Sequence, residues 1–481
     1  MKSVVDRCVA GVFLLCCILA STPTHADDLS HYIHQDGPLR ATLKSDAPLP
    51  LFDANPAHLW NRLYAVFYIR PRVLPATPDH PETIRYEGGD VIEFLAWGKT
   101  EYWSSPDVFA KINPLLDEFL TTNGAQLIRD PLKRAMLQHD LWAPFDHLID
   151  LNNRRQGDRE TRTRRSVLCS KLARCMDQLA LSTAEIKGLP NTYELAVASG
   201  QFPAAHHQDA AVSYLPHTLL TDRQEWVEID FYVPETHEDI LDRFISLHAR
   251  NFMGRSYYRI FYRFPEGRKQ VTDYLSELEA KGVDWKKSAQ HGFGQFLKEK
   301  PEIPVQTEVL LMQLMMTMDD QHRPTPTNIV ESIQIRVFCN LDGASTPPTN
   351  TGVGVNILDH RLQRHLLFDG LKAGGLHREP EELPQYRVAI DGAKQTAPDW
   401  GFADKAVLFQ QCTDCHMSSR LDRLGVVSIP SVIHSGGFDA GAQIGISRPV
   451  AMGQEQVRSQ RVARYKLRHE SFRRLLDYLE K

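Results

Sequence analysis

The stretch Tyr258-Arg259-Ile260-Phe261-Tyr262-Arg263-Phe264 places apolar and aromatic side chains on one side of an extended chain and both arginines on the other. Successive side chains of a β-strand point to opposite faces, so this pattern predicts a strand between a core and water. The stretches Val227–Phe231 and Ile333–Val337 repeat the pattern. We expect all three to be strands of one sheet.

Apolar residues recur at helical spacing before and between these strands. The mixture predicts an α+β fold for residues 27–390, in one or two subdomains. A loop-like stretch at 343–352 and a Gly- and Pro-containing connection at 373–384 place the end of this region between about residues 375 and 398. The segments predicted to be helical are Pro106–Leu120, Pro131–Leu151, Arg164–Met176, Glu238–His248, Arg268–Lys281, Val305–Met318 and Ile357–Leu371.

The first 26 residues are typical of a secretory signal peptide. Lys2 and Arg7 precede the apolar run Val9–Ala20, and Ala26 is the small residue that a signal peptidase prefers. That run is too short to span a bilayer, so we expect an exported, periplasmic protein that is not inserted in the membrane after cleavage. The net charge of −5 in 481 residues, with mixed signs, implies no nucleic-acid partner.

The cysteines support the same compartment but leave their pairing open. Of the eight, three lie in the signal peptide, two in a motif considered below, and Cys169, Cys175 and Cys339 remain. In a continuous helix, Cys169 and Cys175 are separated by roughly 9 Å of rise, beyond the ~7 Å between Cα atoms that a disulfide spans. One of them pairs with Cys339, or the helix is broken and the two bond each other, or all three are free thiols.

Three groups of side chains in the α+β region invite a functional interpretation, but a structural role is the expectation for each. A histidine pair next to Pro203 lacks a third metal ligand, which favours a solvated loop. A methionine cluster alternates with leucines, which favours core packing over copper binding. Two histidines flanking arginines indicate a solvated basic face. These groups are His206 and His207; Met312, Met315, Met316 and Met318; and His360 and His365 with Arg361 and Arg364.

The stretch Cys412-Thr413-Asp414-Cys415-His416 has the spacing at which a c-type haem is attached. The two thiols reach the two vinyl groups of one haem, and the adjacent His416 is then the proximal iron ligand. The competing interpretation is a redox or zinc pair, but a zinc site would need two further ligands, and there is no second cysteine pair. We therefore expect one covalent haem c.

The residues around this motif resemble the class I, mitochondrial cytochrome c-like, haem domain. The resemblance covers residues 395–481 and implies a small all-α domain, in which a helix over Phe402–Gln411 leads into the motif and the helix Glu470–Leu479 closes the fold. It also implies that Phe409 and Pro430 line the haem pocket and that Met452 is the distal iron ligand. The matching residues are Phe409, Cys412, Cys415, His416, Pro430, Met452, Leu475, Tyr478 and Leu479.

The sixth iron ligand has several candidates. Met417 adjoins His416 on the same side of the porphyrin and cannot reach the opposite face. Met452 lies in a Gly- and Pro-containing loop before the last helix and is preferred. His434 would give a bis-histidine iron of lower potential, His469 lies beside the last helix, and an open position remains the fourth alternative.

These observations predict a multi-domain, exported cytochrome that carries single electrons between redox protein partners, with the α+β region as a scaffold or docking body. One alternative is a haem enzyme, peroxidase-like or with its catalytic site in the N-terminal region. Another is a haem-based ligand sensor. A third is an α+β region that binds an extracellular polymer, with the haem as a redox accessory. No nucleophile elbow, phosphate-binding glycine loop or histidine-rich zinc motif occurs in the α+β region.

Overall fold

The fold is built around one large antiparallel sheet, seen in the computed structural model of the chain. Its strand order is β12-β3-β5-β6-β7-β8-β9, with the short β4 pairing with β3. Two further hairpin-like pairs, β1–β2 and β10–β11, are separate. The strands are β1 (Arg70–Leu74), β2 (Thr83–Glu87), β3 (Val227–Val233), β4 (Glu238–Asp239), β5 (Ser256–Arg263), β6 (Glu308–Met318), β7 (Pro324–Asn340), β8 (Gly354–Leu362), β9 (Leu376–Arg378), β10 (Gln385–Ala389), β11 (Ala406–Gln410) and β12 (Ile446–Pro449).

The structure describes only part of the chain. The predicted signal peptide lies outside this part, and so does the stretch 343–352. The described residues are 48–74, 83–87, 102–153, 157–207, 212–233, 238–239, 255–280, 304–340, 354–378, 385–389, 406–410, 446–450, 462–464 and 466–480.

The three strands predicted from alternating side chains are confirmed, and they lie in one sheet as β3, β5 and β7. Long helices with clear periodicity are also confirmed, within a few residues at each end. The helices are α1 (Leu59–Tyr68), α2 (Pro106–Thr121), α3 (Pro131–Asn153), α4 (Arg159–Gln178), α5 (Thr183–Lys187), α6 (Thr192–Ala198), α7 (Arg268–Ala280), α8 (Arg364–Phe368) and α9 (Glu470–Leu479).

Several helix predictions are wrong. Residues of the predicted helix Val305–Met318 form the central strand β6, and most of Ile357–Leu371 is strand β8 followed by the five-residue helix α8. Most of β6 is apolar, and a short apolar run cannot be assigned to helix or strand by periodicity alone. In β8 the polar residues Asp359 and His360 are buried, so the spacing of polar and apolar residues does not report which side faces water. Glu238–Asp239 and Ala406–Gln410 are also strands where helices were expected.

The sheet buries both of its faces. One face packs against α1–α4 and α9, through residues such as Met315 and Ile329. The other face packs against α6 and the chain that follows it, through residues such as Leu310 and Ile335. Burial on both faces explains why β6 is almost uninterruptedly apolar.

The last described segments belong to this same body. Strand β12 pairs with β3 at the edge of the sheet, and the α9 side chain Phe472 lies 5.7 Å from the Trp142 ring of α3. The two strands β11 and β12 fall inside residues 395–481, for which an all-α domain was expected. The apolar side of α9 is occupied by the α+β core, which differs from its expected role as the closing helix of a separate haem domain.

Candidate functional site

Most of the residues predicted to hold haem lie between β11 and β12 or just after β12. Phe409 is in β11, where the structure describes the backbone and not the side chain. The other predicted site residues lie outside the described part of the chain: Cys412, Cys415, His416, Pro430, His434 and Met452. Their donor set, two thiols, an imidazole and a thioether, fits a c-type haem.

The chain on the C-terminal side of this stretch is firmly held. β12 pairs in register with β3, from Ile446 opposite Tyr232 to Pro449 opposite Ile229. The next residue, Val450, donates its N–H to the Glu228 carbonyl at 2.8 Å and accepts a hydrogen bond from Arg268 Nη2 at 3.0 Å. Both backbone groups of Val450 are therefore bonded, two residues before Met452.

His469, the other candidate ligand within the described residues, lies immediately before α9. It is half-buried rather than facing solvent. Burial, aided by the nearby Lys466 charge, lowers the pKa of His469 to about 4. A neutral imidazole retains the lone pair that iron binding requires.

The predictions for the other groups have mixed outcomes. The methionine cluster is core packing, as predicted, with Met312, Met315, Met316 and Met318 all buried. His206 and His207 lie in a loop, also as predicted, and His206 contacts Asn356 and the Tyr214 ring. Cys169 and Cys175 are buried free thiols, whereas the side chain of Cys339 lies outside the described part.

The predicted solvated basic face is wrong at two of its residues. His360 is fully buried in β8, where Ser213 Oγ hydrogen-bonds to its Nε2 and the Phe202 ring lies edge-on to it. Burial lowers the pKa of His360 to about 4, so the imidazole is neutral. Arg364 is also fully buried, on the helix side of the sheet.

Arg364 pairs with Asp140 inside the core. Its Nε donates to Asp140 Oδ2 at 3.0 Å and its Nη2 donates to Oδ1, which is a bidentate pair. The guanidinium carbon lies 4.9 Å from the Tyr64 ring centroid. Burial alone would lower the pKa of Arg364, but the Asp140 carboxylate outweighs it and raises the pKa, so the guanidinium stays charged.

A second buried polar group centres on Glu331 of β7. Its Oε1 lies 2.7 Å from His139 Nε2, and its Oε2 accepts hydrogen bonds from Ser256 Oγ at 2.7 Å and from Gln313 Nε2 at 2.5 Å. Burial raises the pKa of Glu331 to about 7, even though Arg255 and Lys466 act in the opposite direction. Glu331 is only 1% exposed, so this polar group lies inside the core.

The sequence did carry a signal for these residues. Gln138-His139-Asp140 are three consecutive polar residues between apolar ones in α3, and Glu331 directly follows the apolar pair Ile329-Val330 in β7. The register of β6 and β7 shifts between Gln313 and Leu314, beside Glu331, and no alternation pattern predicts such a shift.

Among the residues that the structure describes, no three His, Cys, Asp or Glu side chains are grouped to bind a metal ion. No described helix is long and apolar enough to cross a membrane. The chain matches no protein-family model, no curated protein and no solved structure in the comparisons that we made.

Proposed function

We propose that this protein is an exported c-type cytochrome that carries one covalent haem and transfers single electrons between redox protein partners. The observation that carries the proposal is the motif Cys412-x-x-Cys415-His416. A predicted export signal supports it, since c-type haem is attached outside the cytoplasm.

The residues of the chain have separate tasks in this proposal. Cys412 and Cys415 form the two thioether bonds, His416 binds the iron on one side and Met452 binds it on the other. Phe409 and Pro430 line the haem. When bound, a six-coordinate haem supplies an iron that gains and loses one electron with little change in geometry.

The α+β region is proposed to be the body that carries this haem segment. Two features support this role. The sheet is buried on both faces, and the chain beyond the motif rejoins it through β12 and α9. The partner that exchanges electrons is proposed to be a protein rather than a nucleic acid or a membrane surface, in keeping with the small and mixed net charge.

One observation favours a second candidate, a haem enzyme or ligand sensor with an open iron position. The helix that closes a class I domain is here packed on α3 and α4, through Phe472 and Leu475. The haem segment then has less chain with which to enclose the distal side. An iron without a protein ligand there would bind external ligands.

The ferric absorption spectrum of the purified holoprotein separates the two. A weak far-red band of methionine-to-iron ligation, lost in Met452→Ala, is expected for the electron carrier. Absence of the band in the unmutated protein, together with a spectral shift on adding cyanide, would reject the electron-carrier proposal in favour of the second candidate.

A further inference from the structure

A serine and a histidine from distant parts of the chain meet where the segment after α6 covers the large sheet. His360 lies in β8, and its Nε2 is hydrogen-bonded to Ser213 Oγ. His360 is fully buried, whereas Ser213 is half-buried and remains partly accessible to solvent. The imidazole is therefore shielded from water beneath a hydroxyl that lies nearer the surface.

The segment that carries Ser213 is anchored close to it. The Leu215 N–H donates a hydrogen bond to the Pro203 carbonyl at 3.0 Å, which closes the chain into a loop. At the start of this loop, the Phe202 ring lies edge-on to the His360 imidazole, with 5.4 Å between the ring centroids. The loop thus fixes the serine two residues before an anchored position and packs an aromatic ring against the histidine.

The protonation state of His360 suits a base. Burial is the main cause that lowers its pKa to about 4. Arg378 and His377 in β9 act in the same direction, whereas Asp359 and the backbone of Ile333 act against it. The imidazole is therefore neutral at neutral pH, and in the tautomer with its proton on Nδ1 the Nε2 lone pair can accept the proton of the serine hydroxyl.

A backbone donor directly follows the serine. Tyr214 is fully buried, and within the described part of the chain its N–H donates no hydrogen bond. Buried N–H groups without an acceptor are rare. The N–H of the residue after a catalytic serine is a donor that stabilises a developing oxyanion in α/β-hydrolases. A hydroxyl, a base and a backbone donor therefore occur together, and acyl transfer needs all three.

We propose that Ser213 is a nucleophile activated by His360, and that this site transfers the acyl group of small, activated carboxylic esters to water. Ser213 Oγ forms a bond to the ester carbonyl carbon while its proton passes to His360 Nε2. The bond to the alcohol then breaks, and the alcohol takes that proton. Water adds to the acyl group in the same way, releases the carboxylic acid and restores both side chains. The Tyr214 N–H stabilises the negative charge on the carbonyl oxygen.

Labelling of the full-length holoprotein with an alkyl fluorophosphonate tests the proposal. Such a probe forms a phosphorus–oxygen bond to an activated serine and releases fluoride. Intact and peptide masses should show one probe per chain, on Ser213, and none in Ser213→Ala. Ser199→Ala is the matched control, because the Ser199 hydroxyl donates to the Ala196 carbonyl at 2.6 Å rather than to a base, and this variant should be labelled like the unmutated protein.

A second variant tests the role of the base. His360→Gln keeps a side chain that can hydrogen-bond to Ser213 but cannot take its proton, so the labelling rate should fall about 100-fold or more. If this variant does not fold, the pH profile of the unmutated protein replaces it. The labelling rate should be constant between about pH 6 and pH 8, because the base is neutral throughout this range.

Four results would overturn the inference. The unmutated protein could take up no probe, or take it up on a residue other than Ser213. A folded His360→Gln protein could be labelled at the unmutated rate. The labelling rate could rise with pH in proportion to hydroxide, which is the behaviour of a serine without a base. None of these results bears on the haem, so this inference and the proposed electron carrier stand or fall separately.

Discussion

At the scale of single residues, the feature that is most costly to bury is the ion pair Asp140–Arg364, which lies between α3 and the sheet. Its partners are 1% and 0% exposed. Two charges can be held there because the contact is bidentate and the Tyr64 ring covers the guanidinium. Removing one partner leaves the other charge buried and uncompensated.

We predict that Arg364→Met lowers the free energy of unfolding by about 3–5 kcal/mol. The double variant Arg364→Met with Asp140→Leu should recover most of this loss, since both charges are then gone. Urea denaturation of the three proteins measures both values. Arg62→Met breaks the half-exposed pair with Glu118 and is the control; it should lower the free energy of unfolding by less than about 1 kcal/mol. If Arg364→Met and Arg62→Met lowered this free energy equally, the core pair would not be charged.

The buried Glu331 predicts a pH dependence of stability. Its pKa is about 7 in the folded protein, against an ordinary value of 4.5 for glutamate, so the folded state binds more protons between these values. Stability from this group is therefore present at low pH and is lost as pH rises to about 7, by about 3 kcal/mol in total.

We expect Glu331→Gln to remove this loss, so that the variant gains stability relative to the unmutated protein between pH 5 and pH 8. Denaturation curves at the two pH values measure the gain. Glu194→Gln, at an exposed site on α6, is the control and should follow the unmutated protein. A Glu331→Gln protein whose relative stability is the same at both pH values would show that the carboxylate is ionised throughout this range.

At the scale of elements, the packing of α9 shows that the end of the chain contributes to the main core. Phe472 and Leu475 are fully buried against α3 and α4. Phe472→Ala should therefore lower the unfolding free energy of the α+β body by about 3–5 kcal/mol, because it opens a cavity in the main core.

The control for this prediction is Arg473→Ala, whose side chain is exposed on the same helix. Haem content should be the same in both variants, since the thioether bonds are made elsewhere in the chain. If Phe472→Ala left the far-ultraviolet circular dichroism melting curve unchanged, α9 would have to be independent of the main core.

Elements also show what a sequence pattern can and cannot determine. The bounds of α9, Glu470–Leu479, were predicted correctly because its apolar and charged sides are distinct over the whole helix. The prediction failed for β6, because a strand buried on both faces has no polar side, and Met and Leu are common in helices as well. Burial on a second face depends on residues distant in the sequence, such as Tyr193 and Leu215, and local patterns do not contain it.

The candidate site likewise contains residues that the sequence could predict and residues that it could not. The haem motif is recognisable because its chemistry requires three residues of defined type at fixed spacing within five consecutive positions. His360 and Arg364 were predicted to be solvated, since nothing local indicated that Ser213 and Asp140 would meet them from distant parts of the chain. The hydrogen bond from Arg268 to the Val450 carbonyl likewise joins residues 182 positions apart, which no local pattern indicates.

At the scale of the whole molecule, the chain beyond the motif returns to the body formed before it. β12 adds to the edge of the sheet, and α9 completes the packing of α3 and α4. On the C-terminal side of the motif, β12 joins the chain to the large sheet, whereas on its N-terminal side β11 pairs with β10 in a separate two-stranded sheet.

The central claim is the covalent haem, and a pyridine haemochrome assay combined with the intact mass of the exported protein tests it most directly. We predict one haem per chain, added at Cys412 and Cys415. A protein with both cysteines replaced by alanine should carry no haem while its far-ultraviolet circular dichroism is unchanged, because the sheet and helices form without these residues. An unmutated protein with the mass of the mature polypeptide alone, or a haem retained after both replacements, would contradict the account.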